Sequence, residues 1–396
     1  MLLYGEFNQE KKHQVFDFCI VGGGMVGAAS ALGLVKLGFT VALIEPYMPK
    51  PFEHSQSPDL RVSAISTASE KLLTELGAWQ HIVNMRVCPY KRLAVWEKPG
   101  YRTDFDCADI QSSHIGHIIE NRVVQLGLHQ ALDSQPLLTW YCGSKITNII
   151  CGQSPVLELA DGKTIQCKIL VGADGANSQV REAARIGTQG WQYAQQVLAI
   201  QINTHAPQQD ITWQQFTPNG PLAYLPLHDG YASLVWYHQT DHIRQLKNLS
   251  KQKLKEQILL NFPSELGDFE VLELASFPIS RMHAHQYVKD NVVLIGDAAH
   301  CINPLAGQGV NLGFKDVAVL VDLFSQNVFI DNSDTLHAYE KKRRTDNLIM
   351  MSAMDAIYTT FSNTNSVLNA LRNVGLKLAN NSGPIKRQVM KYAMGL

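Results

Sequence analysis

The stretch FDFCIVGGGMVGAASALGLVKLGFTVALIEP, residues 16–46, constrains the fold more than any other part of the chain. An apolar run stops at a glycine cluster, a helical pattern follows, and a second apolar run ends at Glu45, which reads as strand, turn, helix and strand. Gly22, Gly24 and Gly27 have the G-x-G-x-x-G spacing. The first glycine permits a tight turn, the second lets the backbone approach a pyrophosphate, and the third lets helix and strand pack closely. Glu45 closes the second strand about 20 residues on, where a carboxylate can accept both hydroxyls of an adenosine ribose. The bland alternative is a glycine-rich turn that binds nothing.

Two later turns separate a flavin from a nicotinamide dinucleotide. GADGANSQVR holds Asp174, Gly175, Ser178 and Arg181 after one predicted strand. VVLIGDAAHCINPLAGQGVNLG, residues 292–313, holds Asp297 after another and resumes as a helix after Gly309. A single nicotinamide domain has no need of two more acid-glycine turns at strand ends. A flavin dinucleotide lying across the carboxyl edge of the sheet has a ribityl chain and a ring still to bind.

Between these motifs the pattern changes. RLAVWEKPGYRTDFDCADI alternates like an antiparallel hairpin, ENRVVQLGLHQAL reads as a helix, and residues 190–280 are rich in strand formers and turn dipeptides. The expected fold is α/β with an α+β second domain. A Rossmann-like FAD-binding domain with a parallel sheet and C-terminal helices takes residues 15–90, 112–188 and 282–396. A substrate domain built on an antiparallel sheet takes 91–111 and 189–281 and interleaves with it.

Lys plus Arg number 34 against 35 Asp plus Glu, so no global field draws the chain to nucleic acid. The seven cysteines include no Cys-x-x-Cys pair, which predicts reduced cytoplasmic thiols and no metal. The first fourteen residues lack a secretion-signal pattern, and no uncharged apolar run reaches spanning length.

VGGGMVGAASALGL, RVSAIS, GADGANSQVR, WQQFTPNGP, LVWY and GDAAHCINPLAGQGVNLG, in this order, resemble the aromatic-ring flavoprotein monooxygenases of the para-hydroxybenzoate hydroxylase type. Within them they resemble the ubiquinone-biosynthesis hydroxylases, over nearly the whole chain. The resemblance implies that Gly22, Gly24, Gly27 and Glu45 hold the adenosine half of FAD and that Arg61 lies near its pyrophosphate and ribityl. Asp297 would bind a ribityl hydroxyl, while Gly307, Gln308, Gly309 and Asn311 would place backbone groups near the flavin pyrimidine. Asp174, with Gly175, would support the FAD site and admit the nicotinamide donor. A polar ribityl contact at the start of the helix after the hairpin is either Asn121 or Arg122.

The implied reaction is hydroxylation of a polyprenylated quinol ring by way of a flavin hydroperoxide, with NADPH or NADH and dioxygen. Pro304 would turn its backbone carbonyl toward substrate and flavin, and no catalytic base stands out. Trp213, Phe216, Tyr224 and Pro226 either line a pocket for a flat ring or form a sheet core. His300, His283 and His285 read as packed, hydrogen-bonded histidines, and His228 with Asp229 as turn chemistry.

After Asp355 the chain has no further acid, while Arg372, Lys377, Lys386, Arg387 and Lys391 alternate with Leu371, Leu376, Leu378, Ile385 and Met390. This tail either lies on anionic lipid or docks a partner at the inner face of the membrane, or it packs on its own domain. Two other function classes stand beside the hydroxylase. One is a related flavoprotein acting at another ring position, on another aromatic or as a prenyl reductase. The other is a non-catalytic prenyl or protein binder.

Overall fold

The computed structural model describes residues 15–303, 307, 309–326, 333–363, 372–375 and 382–394. Val15–Val21 is the middle of a parallel sheet, hydrogen-bonded to Val41–Glu45 on one side and Thr164–Gly172 on the other. Leu138–Cys142 extends the sheet beyond Val41–Glu45, and Val292–Leu294 extends it beyond Thr164–Gly172. These strands read as near-continuous apolar runs because helices and loops cover both faces.

Register carries the functional consequence. Val21 lies opposite Ile44 and Gly172, and Gly172 lies opposite Leu294. The strands therefore end level, and the three glycine turns, with Glu45, emerge together at the carboxyl edge where α/β sheets bind ligands.

The helices Met25–Lys36 and Gly309–Gln326 pack side by side in the same direction. A Cβ on Gly313 would sit 2.5 Å from a Val26 methyl, and one on Gly33 would sit 2.4 Å from a Val321 methyl. Glycine at these positions lets the helices close up, so that both N-termini reach the same edge. Phe18, Phe39 and Phe324 fill the space beneath them with edge-on contacts of 5.0–6.0 Å.

A second eight-stranded sheet contains Arg92–Trp96, Thr103–Asp106, Thr188–Thr204, Ile211–Gln215, Leu222–Pro226, Tyr231–Gln239 and Phe269–Ala284. It also recruits His300–Cys301, from the segment that the sequence reading gives to the cofactor domain. Its pairings are antiparallel except Arg92–Trp96 with Ile211–Gln215. The helices Thr240–Lys247 and Lys251–Asn261 cover one face of this sheet, and the first of them escapes the sequence reading. On the other face Val197 and Tyr237 pack with Ile302 and Leu312 and with Met350, Met351 and Met354 of the helix Ser333–Ser362. A third, three-stranded sheet joins Val62–Ser66, Gly116–Glu120 and Cys88–Tyr90.

The described part of the tail packs inward. Arg372 is buried, ion-paired with Glu97 and bonded to the Thr360 and Asn363 carbonyls. In the helix Pro384–Met394, Lys386 pairs with Asp109 at 3.1 Å while Met390 and Met394 bury against Phe105 and Cys107. Arg372 and Lys386 thus leave the proposed lipid-facing stripe, because acids distant in sequence neutralise them. Arg387 and Lys391 stay exposed. Leu371, Leu376, Lys377, Leu378 and the side chain of Ile385 lie outside the described residues. Among the described residues no helix is long and apolar enough to cross a membrane.

Candidate active site

Gly22 turns with φ +102°, and a Cβ there would meet the Ala173 carbonyl oxygen at 2.5 Å. A Cβ on Gly27 would stand 1.9 Å from the Gly22 oxygen, so the helix closes directly on the turn. Gly24 is different: at the N-terminus of Met25–Lys36, it has nothing within 4 Å of where a Cβ would lie. Two of the three glycines are required by the protein's own packing, and the middle one leaves space.

Glu45 is tied to this loop. Its Oε2 accepts the Gly23 N–H and its Oε1 accepts the Tyr47 N–H, both at 2.8 Å. The Gly23 carbonyl in turn accepts Gln125 Nε2 at 2.9 Å and His129 Nε2 at 2.7 Å. Burial pushes the His129 pKa down, so the imidazole is held neutral with its proton on Nε2. Gln125 and His129 lie one turn apart on Asn121–Leu132, and the sequence reading does not find them.

In the second turn Asp174 Oδ2 caps the short helix Gln179–Ala183, accepting the Gln179 and Val180 N–H groups at 2.7 and 3.2 Å. Its Oδ1 is buried with no hydrogen-bond partner. Gly175 follows with φ +80°. Arg181 spans the second and third turns, donating to the Ala176 and Ala298 carbonyls at 2.7 and 2.8 Å.

Asp297 is exposed at the end of its strand, and among the described residues nothing donates a hydrogen bond to its carboxylate. Desolvation pushes its pKa up; His300 and Arg61 pull it back, while Asp316 adds to the rise. Arg61 lies over the Phe277 ring at 4.9 Å, and its carbonyl accepts the Asn121 N–H. Of the two polar candidates that follow, Arg122 is committed elsewhere. It forks onto Asp59 at 2.8 and 3.0 Å and holds the Lys50 and Pro51 carbonyls. Asn121 makes one side-chain bond, accepting the Ser63 hydroxyl at 2.7 Å.

Gly307 has φ +64°, and Gly309 opens its helix with nothing within 4 Å of its Cβ direction. Asn311 is buried and staples this turn to the three-stranded sheet. It accepts from Ser66 N and the Ser69 hydroxyl and donates to the Ala64 and Gly307 carbonyls. Pro304 and Gln308 lie outside the described residues.

Behind the third turn lies a buried polar network. Asp316 accepts from Gly296 N, from His300 at 2.5 Å, from Arg343 at 2.7 Å and from Asn347. Burial pushes its carboxyl up, but His300 and Arg343 outweigh that and hold it at about 2. His283 bonds the Tyr287 hydroxyl at 2.9 Å. These histidines carry the fold's own bonds, His228 pairs with Asp229 in a hairpin turn, and burial pushes the Cys301 thiol up to about 12.

The aromatic lining is corrected by strand parity. Trp213 lies opposite Tyr224, Tyr224 opposite Leu234, and Leu234 opposite Ile200. All four face the helices of residues 240–261, where Trp213 stacks on Tyr224 beside Trp96 and Phe262. Pro226 pairs with Ala232 of the same face, whereas Phe216, two positions after Gln214, is not moved by this parity and stacks at 3.9 Å on Phe361 of the helix Ser333–Ser362. The face toward the cofactor-domain residues carries instead Val95, Gln214, Ala223, Val235 and Ala199, directly opposite one another across the strands. A surface pocket of about 460 Å³ between Pro49, Phe52, His81 and Leu126 shares no residue with the three turns.

The residues at the edge fit an FAD. Two helix N-termini without an acid in their first turns converge there. Two glycines leave room for close approach, Asp174 Oδ1 is buried without a hydrogen-bond partner, and the exposed Asp297 carboxylate stands at the same edge. The chain matches the FAD binding domain family over residues 15–351. It is 46% identical to 3-demethoxyubiquinol 3-hydroxylase of Escherichia coli K12, across 97% of this chain and 100% of that one. It is 32% identical to the human ubiquinone biosynthesis monooxygenase COQ6, across 96% and 92%, and to the ubiquinone hydroxylase UbiL of Rhodospirillum rubrum, across 96% and 90%. Among solved structures, p-nitrophenol 4-monooxygenase PnpA of Pseudomonas putida superposes with a TM-score of 0.80 at 19% identity, covering 96% of this chain and 98% of that one.

The chain belongs to the FAD binding domain family and has the fold of the FAD-dependent monooxygenases. Its full-length similarity lies with the hydroxylases of ubiquinone biosynthesis, and it is an FAD-dependent monooxygenase.

Proposed function

We propose that this enzyme hydroxylates the benzoquinol ring of a polyprenylated ubiquinone precursor, converting 3-demethoxyubiquinol to 3-demethylubiquinol. The observation that carries the reading is end-to-end identity of 46% to a protein that bears this activity in its name. The balance is ring C–H plus O₂, NAD(P)H and a proton giving ring C–OH, water and NAD(P)⁺. FAD, when bound, supplies electron transfer from the nicotinamide and activation of dioxygen.

The chain's own residues bind and orient. Both Glu45 oxygens retain a lone pair beyond their backbone bonds, which suits the two ribose hydroxyls of the adenosine half, with Gly22, Gly24 and Gly27 beneath the pyrophosphate. Asp297 is assigned to a ribityl hydroxyl, with Arg61 and Asn121 beside it. Gly307, Gln308 and Gly309 are assigned to the pyrimidine edge, and Asp174 with Gly175 to the entry side of the cofactor. Asn311 supports this group as the staple beneath it. The backbone of Pro304 and the Ala223 and Gln214 face of the second sheet would enclose the ring and exclude water, which would otherwise divert reducing power into hydrogen peroxide. His300 and His283 are withdrawn as proton carriers by their bonds to Asp316 and Tyr287. The division into a cofactor domain and a substrate domain follows these roles.

The test offers the FAD-loaded protein NADPH, air and a short-chain 3-demethoxyubiquinol analogue, with the product identified by mass spectrometry and NMR. One added oxygen at carbon 3 is expected. Peroxide without product refutes the substrate, and oxygen at another position points to a sister hydroxylase. Exposed Arg387 and Lys391 would carry any contact with anionic lipid, and unchanged liposome flotation of a folded deletion of residues 366–396 would remove that role.

A further inference from the structure

Away from the three turns, three side chains from two segments converge. Glu70 lies on the helix Thr67–Glu75, His114 in the loop leading into the strand Gly116–Glu120, and His117 on that strand. Their ligand atoms all lie within 4.8 Å of one another. Glu70 Oε2 is 2.6 Å from His114 Nε2 and 3.4 Å from His117 Nδ1.

We propose that Glu70, His114 and His117 form a binding site for one transition-metal ion of the zinc(II) class, with water completing the shell. Two imidazoles and a carboxylate are a donor set that suits zinc, and tetrahedral bonds of 2.0–2.2 Å put ligand atoms about 3.3 Å apart. The Glu70–His117 spacing already has that value, and the Glu70–His114 contact need open by only a fraction of an ångström. His117 is 7% exposed, and its Nδ1 faces Glu70 Oε2 at 3.4 Å without forming a geometrically good hydrogen bond. A buried ring nitrogen whose one polar neighbour is badly aligned is a requirement that a cation between the two would satisfy.

The outer contacts agree. His114 Nδ1 lies 2.8 Å from the Ser113 hydroxyl, which fixes the ring and leaves Nε2 as the ligand, the arrangement typical of metal-bound histidine. Side-chain exposures of 17% at His114 and 20% at Glu70 leave an opening to solvent.

An ion here would pin the helix to the strand. Ser66 and Ser69, which hold Asn311, sit at the start of that helix, and the strand runs directly into Asn121. The sequence reading expects no metal because it looks for cysteine pairs; His114 and His117 are three positions apart, but their carboxylate partner Glu70 lies 44 positions before His114.

Equilibrium dialysis of the chelator-treated, FAD-loaded protein against zinc(II), with the cobalt(II) absorption spectrum as a second readout, tests the proposal. One equivalent bound, with tetrahedral cobalt bands, is expected. Its affinity should fall at least roughly 100-fold in Glu70→Gln and in His114→Ala, since losing even an outer partner costs about 10–100-fold. FAD retention and thermal melting in each variant verify folding. No bound equivalent, or an equivalent held equally well by both folded variants, overturns the proposal. Neither readout depends on substrate identity.

Discussion

Changing Gly24 and Gly27 to alanine separates the part of the first turn that serves the fold from the part that serves the ligand. Gly24 has φ −68° and ψ −176°, which any residue adopts, and its Cβ direction is empty to 4 Å. Gly24→Ala should leave the apoprotein as stable as before, or about 0.4–1 kcal/mol more stable through the stiffer unfolded chain. With the pyrophosphate over the turn, the same methyl group would hold a phosphate off the loop amides. Losing one charge-assisted hydrogen bond, about 1.5–3 kcal/mol, weakens FAD binding roughly 10- to 150-fold. Gly27→Ala instead drives a methyl to 1.9 Å from the Gly22 oxygen, a backbone atom with the Ala173 methyl 3.0 Å away on the other side. That overpacking should cost at least about 1–3 kcal/mol and lower the apoprotein Tm. Thermal unfolding of flavin-stripped protein and titration by flavin fluorescence quenching read the two effects apart. If Gly24→Ala binds FAD with unchanged Kd, the pyrophosphate does not lie on this turn.

Asp316→Asn should cost about 3–5 kcal/mol in denaturant unfolding, because buried Arg343 is left with only the largely exposed Asp346, at 3.1 Å, as counter-charge. Asp316 is held at about 2, below the unfolded value of about 3.9, so its stabilisation is complete above about pH 4 and is lost as pH falls toward 2. A Tm–pH curve should show that acid limb in the parent and not in the variant. His283 is lowered to about 4, chiefly by burial with Arg344 and His300 adding to it, so the unfolded chain takes up its proton first. Stability should decline from about pH 6.5 toward 4, and His283→Gln should flatten that stretch. Trp213→Ala should cost about 3–5 kcal/mol of stability with KM for the quinol unchanged, whereas Ala223→Leu on the opposite face should raise KM several-fold in the folded variant, with whatever Tm its overpacking leaves. A KM change in the folded Trp213 variant would reverse the parity assignment.

The parallel layer and its turns were legible because glycine spacing and terminal acids are local consequences of backbone geometry. The face assignment of Trp213 and Tyr224 was not legible. Helices cover one side of that sheet and cofactor-domain residues the other, so VLAIQI and LAYLPL carry apolar residues at both odd and even positions, and alternation loses its meaning. Arg372 read as part of a cationic stripe because its partner Glu97 is 275 residues away. Gln125 and His129 were missed for a different reason: their target is the Gly23 carbonyl, which no sequence pattern marks.

Those misses share a cause, and it sharpens the site. The groups that the sequence did not place, Gln125, His129, the Arg181 contacts and the Asn311 side chain, satisfy backbone carbonyls at long range and hold the three turns in register. The groups left over are the buried Asp174 Oδ1, the exposed Asp297 carboxylate and the open sides of Gly24 and Gly309. Buried polar groups in folded proteins are nearly always paired, and a helix N-terminus favours an anion. The remainder at this edge therefore defines a ligand by subtraction: acceptors for hydroxyls at Asp297 and Asp174, between two N-termini that suit negative or electron-rich groups. A polyol chain with phosphates at one end and a polar ring at the other fits that pattern, so the internal bonds point to the same edge as the motifs do.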